Sequence, residues 1–338
     1  MEIRYLGTSG LAVGWLGLGT ALWGRDTDEH EAAEQLRDFV ESGGQLIDTG
    51  DAYGGGAAEA VVGALLAGRF ARSDVVLAVK TGGGAPDAAA GDADLSRRGL
   101  LAALDGSLRR LGVDHIDLWQ IDGVDPVTPL EETLSALDIA VSSGRVRYVG
   151  LANFCGWRTA KAAAWQAAWP GRARLISNQV EYSLLQRGVE REVVPAMRDA
   201  GMSILAWSPL GRGVLTGKYR TGIPADSRAA SDHLAAFVQP YLGPESTRIV
   251  NAVCTAAQGL GVSPLAVALA WVRDRPGVGG VLVGARTAAQ LRGILAECDL
   301  TLPAEISAAL DEVSAVPSGY PERTAAERAT AGPSPAFS

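Results

Sequence analysis

Short apolar runs rich in β-branched residues alternate along the chain with longer segments that have helical periodicity. Residues 128–141 are typical of an amphipathic helix: Thr128 and Glu131 predict a capping box at its start, and one face carries Leu130, Leu134, Leu137 and Val141. Eight runs predict strands, at residues 15–19, 45–47, 75–79, 116–121, 147–152, 174–179, 203–207 and 280–284. Eight alternations of strand and helix predict an α/β fold, a parallel sheet closed into a (β/α)8, or TIM, barrel.

Three further segments add to this barrel. Residues 2–15 predict a β-hairpin turned by Thr8, Ser9 and Gly10, which could plug one end of the barrel. After the seventh barrel strand, residues 211–243 have no long helical periodicity, and a loop of that length is usually functional, so it is a candidate lid. We expect one domain over 1–316 and a partly flexible tail over 317–338, which is rich in Pro, Ala and Ser.

Composition narrows the classes of function. The 338 residues are 47% hydrophobic and carry a net charge of -8 without a basic run, which disfavours binding to nucleic acid or an anionic membrane. Three scattered cysteines indicate neither a disulfide framework nor a metal cluster. With no basic and apolar leader and no apolar stretch of about 20 residues, we expect a cytoplasmic protein that acts on a small molecule. Whether it is a monomer or a homo-oligomer stays open.

Polar residues follow the predicted strands at their C-terminal ends, where reactive groups lie in such barrels. They are Thr20, Asp48, Lys80, Asp122, Asn153, Gln179, Trp207 and Arg286. Asp48 and Lys80, together with Tyr53 just beyond the second barrel strand, could form a proton-transfer site. A free tyrosine has a pKa near ~10, and a nearby ammonium stabilises its phenolate and lowers that pKa.

The motifs LIDTGDAYGGGAAEAVVG, DLWQIDGVDPVTPLEETL, GRVRYVGLANF, SNQVEYSLLQR, AWSPLGRGVLTGKY and VGARTAAQL resemble those of the aldo-keto reductase superfamily, bacterial branch. The resemblance runs in the right order from the hairpin to about residue 315. It implies an NADPH-dependent reductase of carbonyl compounds, with Tyr53 as general acid, Lys80 lowering its pKa and Asp48 holding Lys80.

Asp122 departs from the family pattern, which has a catalytic histidine after the fourth barrel strand. An ionised Asp122 would repel the substrate oxygen that gains negative charge and would raise the pKa of Tyr53, so it opposes simple carbonyl reduction. A protonated Asp122 would donate a hydrogen bond instead. A branch of the family with glutamate there reduces the carbon–carbon double bond of enones, which makes enones or keto-sugars candidate substrates. The remaining alternative is neutral drift in a slow reductase of ordinary aldehydes.

The cofactor site is implied by the same resemblance, since no G-x-G-x-x-G motif follows a strand. Trp207 would stack on the nicotinamide, Asn153 and Gln179 would hold its carboxamide, and Arg286 with Gln290 would clasp the 2′-phosphate, which favours NADP. Backbone donors around Ser208, Leu210 and Gly211, with Lys218, would line the pyrophosphate. Further cofactor contacts are expected at Gly19, Thr20 and Gly284. Ala152, Gly293 and Ile294 replace residues that usually contact the cofactor in the family.

The substrate pocket is expected to be walled by Trp23, Gly123, Val124 and Trp157, although buried packing is the commoner fate of tryptophan. A second hypothesis is a cofactor-binding barrel with little or no turnover that serves as a sensor or partner subunit. Intact Asp48, Tyr53 and Lys80 favour the enzyme, whereas Asp122 and Ala152 favour the second hypothesis.

Overall fold

Eight parallel strands form a closed barrel in the computed structural model, which describes residues 1–83, 94–317, 319–321 and 323–324. Each strand pairs with the next along the chain, and the last pairs with the first. The predicted barrel and the positions of its strands are confirmed. The barrel strands are β3 (Leu16–Gly19), β4 (Leu46–Gly50), β5 (Val76–Thr81), β6 (Ile116–Asp122), β7 (Val146–Ala152), β8 (Leu175–Glu181), β9 (Ser203–Trp207) and β10 (Val278–Val283).

Helices surround the barrel, and several begin at a side-chain cap. Asp28, Ser96, Ser263 and Thr287 each accept a hydrogen bond from a backbone N–H in the first helical turn, which satisfies a donor that the helix itself leaves unpaired. The helices are α1 (Glu29–Glu41), α2 (Ala57–Gly68), α3 (Arg97–Leu111), α4 (Leu130–Ser142), α5 (Gly156–Ala167), α6 (Val189–Asp199), α7 (Ala235–Val238), α8 (Pro244–Leu260), α9 (Pro264–Arg273), α10 (Ala288–Ala296) and α11 (Ala304–Val313).

Helix α4 begins differently from its prediction. Its N-cap is Pro129, and no side chain caps it. The Thr128 hydroxyl donates to Asp125 Oδ2 at 2.5 Å, while the other oxygen of Asp125 accepts from the backbone N–H of Val127 at 2.7 Å. The predicted capping box is wrong because the local turn around Asp125 uses the threonine hydroxyl.

The N-terminal hairpin closes one end of the barrel. Strands β1 (Ile3–Tyr5) and β2 (Ala12–Gly14) pair antiparallel, as predicted. Gly7 lies in the turn at φ +55, where a Cβ would come within 2.6 Å of the Ile176 carbonyl oxygen, so glycine is required there. The plug residues Leu6, Leu11 and Val13 pack against interior side chains of the barrel, which are Leu46, Ala78, Leu118, Ile176, Leu205 and Leu282. Apolar packing thus fills the end where the strands begin.

The segment 211–243 has only short helical turns, as its sequence predicts: the 3-10 helices Gly211–Thr216, Arg228–Ala230 and Gln239–Tyr241, and helix α7. Most of the predicted tail over 317–338 lies outside the described residues. Within the described part, no single helix is long and apolar enough to cross a membrane, and only the pair α8 and α9, bent by 103°, meets that test together.

The plug makes Leu118 a test of how closely the barrel interior is packed. Leu118→Ala should lower the free energy of unfolding by about 2–5 kcal/mol, because it leaves a cavity between the hairpin and the strands. Urea unfolding followed by circular dichroism measures the change. Ile223→Ala is the control, since that side chain is 55% exposed and its loss should have little effect. Equal losses in the two variants would contradict close packing of the plug.

Candidate active site

Polar side chains from three strands meet at the C-terminal end of the barrel. Lys80 Nζ lies 2.6 Å from Asp48 Oδ2, and Gln179 Nε2 donates to the other oxygen of Asp48 at 2.7 Å. Asp48 and Lys80 are 2% and 6% exposed. A buried ion pair is stable only when its remaining hydrogen-bonding capacity is used, and Gln179 provides that second partner for Asp48.

Tyr53 is placed over Lys80 by a glycine-rich turn after β4. The Lys80 ammonium nitrogen lies 4.6 Å from the centroid of the Tyr53 ring. Gly54, Gly55 and Gly56 follow with φ values of +58, +63 and +95, a run of left-handed conformations that residues with a Cβ adopt at a cost. The sequence YGGG therefore allows the chain to reverse direction within the turn and enter α2.

The charges of this site act on the pKa of Tyr53 in opposite directions. Burial raises the pKa of Tyr53 to about 12; the Lys80 charge lowers it, and the charges of Asp48 and Asp122 raise it. Lys80 acts in the predicted direction, but burial outweighs it, so the expected net lowering is not found. Burial lowers the pKa of Lys80, and Asp48 together with Tyr53 more than offsets this, leaving that pKa raised.

Asp122 is the first member of a hydrogen-bonded chain across three strand ends. Asn153 Nδ2 donates to Asp122 Oδ1 at 2.8 Å, and the indole N–H of Trp207 donates to Asn153 Oδ1 at 3.1 Å. Asn153 adopts φ +59, a conformation uncommon for any residue with a Cβ. The residue that departs from the family pattern is thereby connected to the tryptophan expected to stack on a nicotinamide.

The turn expected to line a pyrophosphate has a strained backbone and contains a hydrogen bond between two of its own backbone groups. Ser208 has φ +52, and the N–H of Gly211 donates to the Ser208 carbonyl at 2.9 Å. Lys218 is exposed and its ammonium lies 5.2 Å from the Tyr219 ring centroid.

Of the other residues expected to contact the cofactor, Thr20 is buried and Gly284 is exposed. Thr20 is fully buried, and both its N–H and its hydroxyl donate to the Asp48 carbonyl, at 2.9 and 3.1 Å. It therefore joins β3 to β4 beneath the site. Gly284 is exposed next to Gly19, and its carbonyl accepts from Arg228 Nη2 at 3.5 Å.

Arg286 and Gln290 lie together, with a second arginine beside them that the sequence analysis missed. The backbone N–H of Arg286 donates to Gln290 Oε1 at 3.0 Å, and its guanidinium donates to the Asp226 carbonyl. Burial lowers the pKa of Arg228, and the charge of Arg286 acts in the same direction. Two neighbouring cations that bond to backbone carbonyls are suited to share an anion. In the sequence, the only signal for Arg228 was its position in the long loop after β9, which was predicted to be functional.

The expected substrate-pocket residues comprise one buried side chain, two exposed side chains and a half-buried glycine. Trp23 is 1% exposed and its indole N–H donates to Gln35 Oε1 of α1 at 3.1 Å, so it packs in the core rather than along an open pocket. Val124 and Trp157 are 45% and 60% exposed, and Gly123 directly follows the C-terminal end of β6.

A profile of the family described as "Aldo/keto reductase family" matches residues 15–315. The chain belongs to this family. The match and the closed barrel together make it an oxidoreductase of the general aldo/keto reductase type, a family that generally uses nicotinamide cofactors.

Relatives of the chain within the aldo/keto reductase family have differing names. "Uncharacterized oxidoreductase YrpG" of Bacillus subtilis (strain 168) is 36% identical, over 94% of this chain and 98% of that protein. "L-glyceraldehyde 3-phosphate reductase" of Escherichia coli (strain K12) is 34% identical over 92% of each chain. "Probable voltage-gated potassium channel subunit beta" of Oryza sativa subsp. japonica is 34% identical, over 97% of this chain and 100% of that protein.

Asp51, two residues before Tyr53 in this aldo/keto reductase, is a titratable group that the sequence analysis did not single out. Burial raises the pKa of Asp51 to about 6, and the charge of Glu59 adds to the rise. Glu59 is itself fully buried and pairs with Arg110 at 2.6 Å. The backbone N–H groups of Ala52 and Gly82 act in the opposite direction.

The raised pKa of Asp51 predicts a pH dependence of stability. Between its ordinary pKa of 3.8 and about 6, the folded chain binds more protons than the unfolded chain, so this residue makes the protein less stable as pH rises through that window. Asp51→Asn removes the effect. From pH 4.5 to 7, the variant should gain about 1–3 kcal/mol of unfolding free energy relative to the native protein. Urea unfolding at both pH values measures it, and a pH-independent difference would contradict the assignment.

Proposed function

We propose that the protein is an NADPH-dependent oxidoreductase in which hydride goes to a carbonyl or a conjugated enone or keto-sugar and Tyr53 supplies the proton. The observation that carries the proposal is the arrangement of Tyr53, Lys80 and Asp48, with 2.6 Å between the ion-paired atoms and the ammonium 4.6 Å from the Tyr53 ring. A purely structural role for the ion pair, or for a packed tyrosine, would not explain the glycine turn that places the phenol over a buried ammonium.

The proton step follows from the charges around Tyr53. A pKa of about 12 keeps the phenol protonated at neutral pH, as a general acid must be before it acts. The Lys80 ammonium stabilises the phenolate that remains after the proton has left, and Asp48 keeps that ammonium charged and in place.

The polar groups at this end of the barrel fit a phosphorylated dinucleotide. Arg286, Gln290 and Arg228 would hold a 2′-phosphate, because two close guanidinium groups gain from an anion between them. Gly19, Gly284, Ser208, Leu210, Gly211 and Lys218 would lie along the rest of the cofactor. Trp207, Asn153 and Gln179 would hold the nicotinamide, which supplies the hydride when bound. The side-chain amide of Asn153 has two hydrogens; it donates one to Asp122, and the second would bind the carboxamide of the nicotinamide.

Asp122 bears on the choice of substrate. Its carboxyl accepts from Asn153, and its charge raises the pKa of Tyr53. A negative group here disfavours an oxyanion localised on a simple aldehyde or ketone oxygen, and it disfavours charge spread over a conjugated system less. We therefore place conjugated enones ahead of keto-sugars and simple carbonyl compounds, whose reduction localises the charge on one oxygen, with Gly123, Val124 and Trp157 around the substrate.

A second candidate is a cofactor-binding barrel with little turnover that serves as a sensor or partner subunit. Two observations favour it: the charge of Asp122, which raises the pKa of Tyr53, and the rice relative, whose name makes it a probable subunit of a potassium channel. In this case NADPH would bind and persist unoxidised in the presence of substrates.

Single-turnover oxidation of NADPH separates the two candidates and tests Tyr53. The purified protein should oxidise NADPH with at least one member of a panel of aldehydes, ketones, enones and keto-sugars. Tyr53→Phe should slow that oxidation by about 10²–10⁴-fold, the usual contribution of general acid catalysis, while NADPH still binds. Asp122→His should raise ketone or aldehyde reduction relative to enone reduction.

Absorbance at the NADPH maximum in a stopped-flow instrument follows the reaction. Binding of NADPH without oxidation by any panel member would favour the second candidate. Unchanged oxidation in Tyr53→Phe would remove Tyr53 as the acid, and no gain of carbonyl reduction in Asp122→His would show that Asp122 does not set the choice of substrate.

Arg286→Met tests the preference for a 2′-phosphate. Loss of a charge-assisted contact should weaken NADPH binding roughly 10- to 100-fold and leave NADH binding nearly unchanged. Titration of each cofactor by fluorescence gives both dissociation constants. Arg292→Met is the matched control, because Arg292 is an exposed arginine of α10 paired with Asp38 at 2.8 Å. Equal weakening of NADPH and NADH would contradict a phosphate contact.

A further inference from the structure

Arg212 has an extensive set of partners that the proton-transfer and phosphate sites do not use. Its guanidinium pairs with both oxygens of Glu181, Nε to Oε1 at 2.8 Å and Nη2 to Oε2 at 2.6 Å. The two side chains are 15% and 12% exposed. A two-point pair of this kind fixes the guanidinium plane as well as its position.

Three aromatic rings surround the same guanidinium. Its central carbon lies 3.8 Å from the ring centroid of Phe237, 4.9 Å from that of Tyr241 and 5.8 Å from that of Trp207. A further N–H of Arg212 donates to the Phe237 carbonyl. Arg212 thus holds both the ring and the backbone of Phe237, which belongs to the short helix α7 of the long loop.

Phe237 in turn packs on Trp207. The two rings are nearly parallel, with 15° between their planes and 6.4 Å between their centroids. Glu181 and Trp207 are also direct partners in the pairing of β8 with β9, so the ion pair is anchored beside the tryptophan. Asn153 accepts from the indole N–H at another edge. Two contacts therefore restrain Trp207: the hydrogen bond from its indole N–H to Asn153 and the packing of Phe237 on its ring.

The backbone at Arg212 indicates that this placement is specific. Arg212 lies between Gly211 and Gly213 and adopts φ +58, a left-handed conformation that a residue with a Cβ adopts only when its surroundings hold it there. Glycine on both sides, at φ +53 and +92, makes the tight turn possible, and the side-chain contacts of Arg212 hold it. An exposed loop arginine without a fixed partner would have no reason to occupy this conformation.

We propose that Arg212 is a positioning residue: paired with Glu181, it holds Phe237 against Trp207 and so fixes the ring plane on which a nicotinamide would stack. The proposal rests on the proposed function. Arg212 itself would touch neither the substrate nor the nicotinamide, and its effect would pass through Phe237.

The test compares Arg212→Met, Arg212→Lys, Phe237→Leu and the double variant. In the ligand-free protein, Trp207 should become more accessible to acrylamide quenching in Arg212→Met and Phe237→Leu, with Trp207→Phe identifying its share of the emission. With NADPH and substrate at saturation, kcat should fall roughly tenfold or more in each single variant, because small displacements of reacting groups are costly. The substrate KM should change by less than kcat.

The double variant should lose no more than either single variant, because the two residues act through one contact. Arg212→Lys keeps the charge but not the two-point geometry and should recover part of kcat. Arg220→Met is the matched control on the same loop, since Arg220 is exposed and bonds to Asn251 at 2.9 Å. It should resemble the native protein in both readouts.

Additive losses in the double variant, or an unchanged quenching of Trp207 in Arg212→Met, would overturn the positioning role. A fall in the thermal midpoint with no change in kcat or quenching would also overturn it, in favour of a purely structural ion pair. If the native protein reduces no panel substrate, the proposed reductase function fails, while the quenching experiment on the ligand-free protein still decides whether Arg212 positions Trp207.

Discussion

The site depends on one buried ion pair, between Lys80 and Asp48. Charges this far from water are stable only when they are paired and when each remaining hydrogen-bonding position is filled. Gln179, on the opposite side of the barrel, donates a hydrogen bond to the second oxygen of Asp48. The ion pair therefore forms only when β4, β5 and β8 have come together in the closed barrel. In return the pair fixes an ammonium beneath Tyr53. The chemistry of Tyr53 therefore depends on closure of the barrel.

The two ends of the barrel are kept distinct by what fills them. At the end where the strands begin, the hairpin inserts Leu6, Leu11 and Val13 among apolar interior side chains. At the other end, polar groups are joined by hydrogen bonds, including the chain from Asp122 through Asn153 to Trp207. Unusual backbone conformations gather at this second end, at Asn153, Ser208 and Arg212. Strain of this kind persists only where neighbouring contacts hold it, as they do in ligand sites.

Much of the fold could be predicted because its signals are local. Each strand contains a short run rich in apolar residues, as a strand largely buried between the barrel interior and the helices requires, and the alternation with helices leaves few topologies. Errors arose where two local solutions compete or where burial depends on distant residues. Thr128 had a choice of partners, and Asp125 took its hydroxyl. Trp23 could have faced a pocket or the core, and Gln35 on α1 gives its indole N–H a buried partner.

The order of the strands, the family, and the occurrence of Asp48, Tyr53 and Lys80 at or just after neighbouring strands could all be read from periodicity and motif, because those signals are local. How these groups act on one another depends on the closed barrel. Burial, which no single residue encodes, raises the pKa of Tyr53 above the value that Lys80 alone would give it. The partners of Asp122 and the contacts of Arg228 and Arg212 join residues far apart in the chain, so only the closed barrel and its long loop could reveal them.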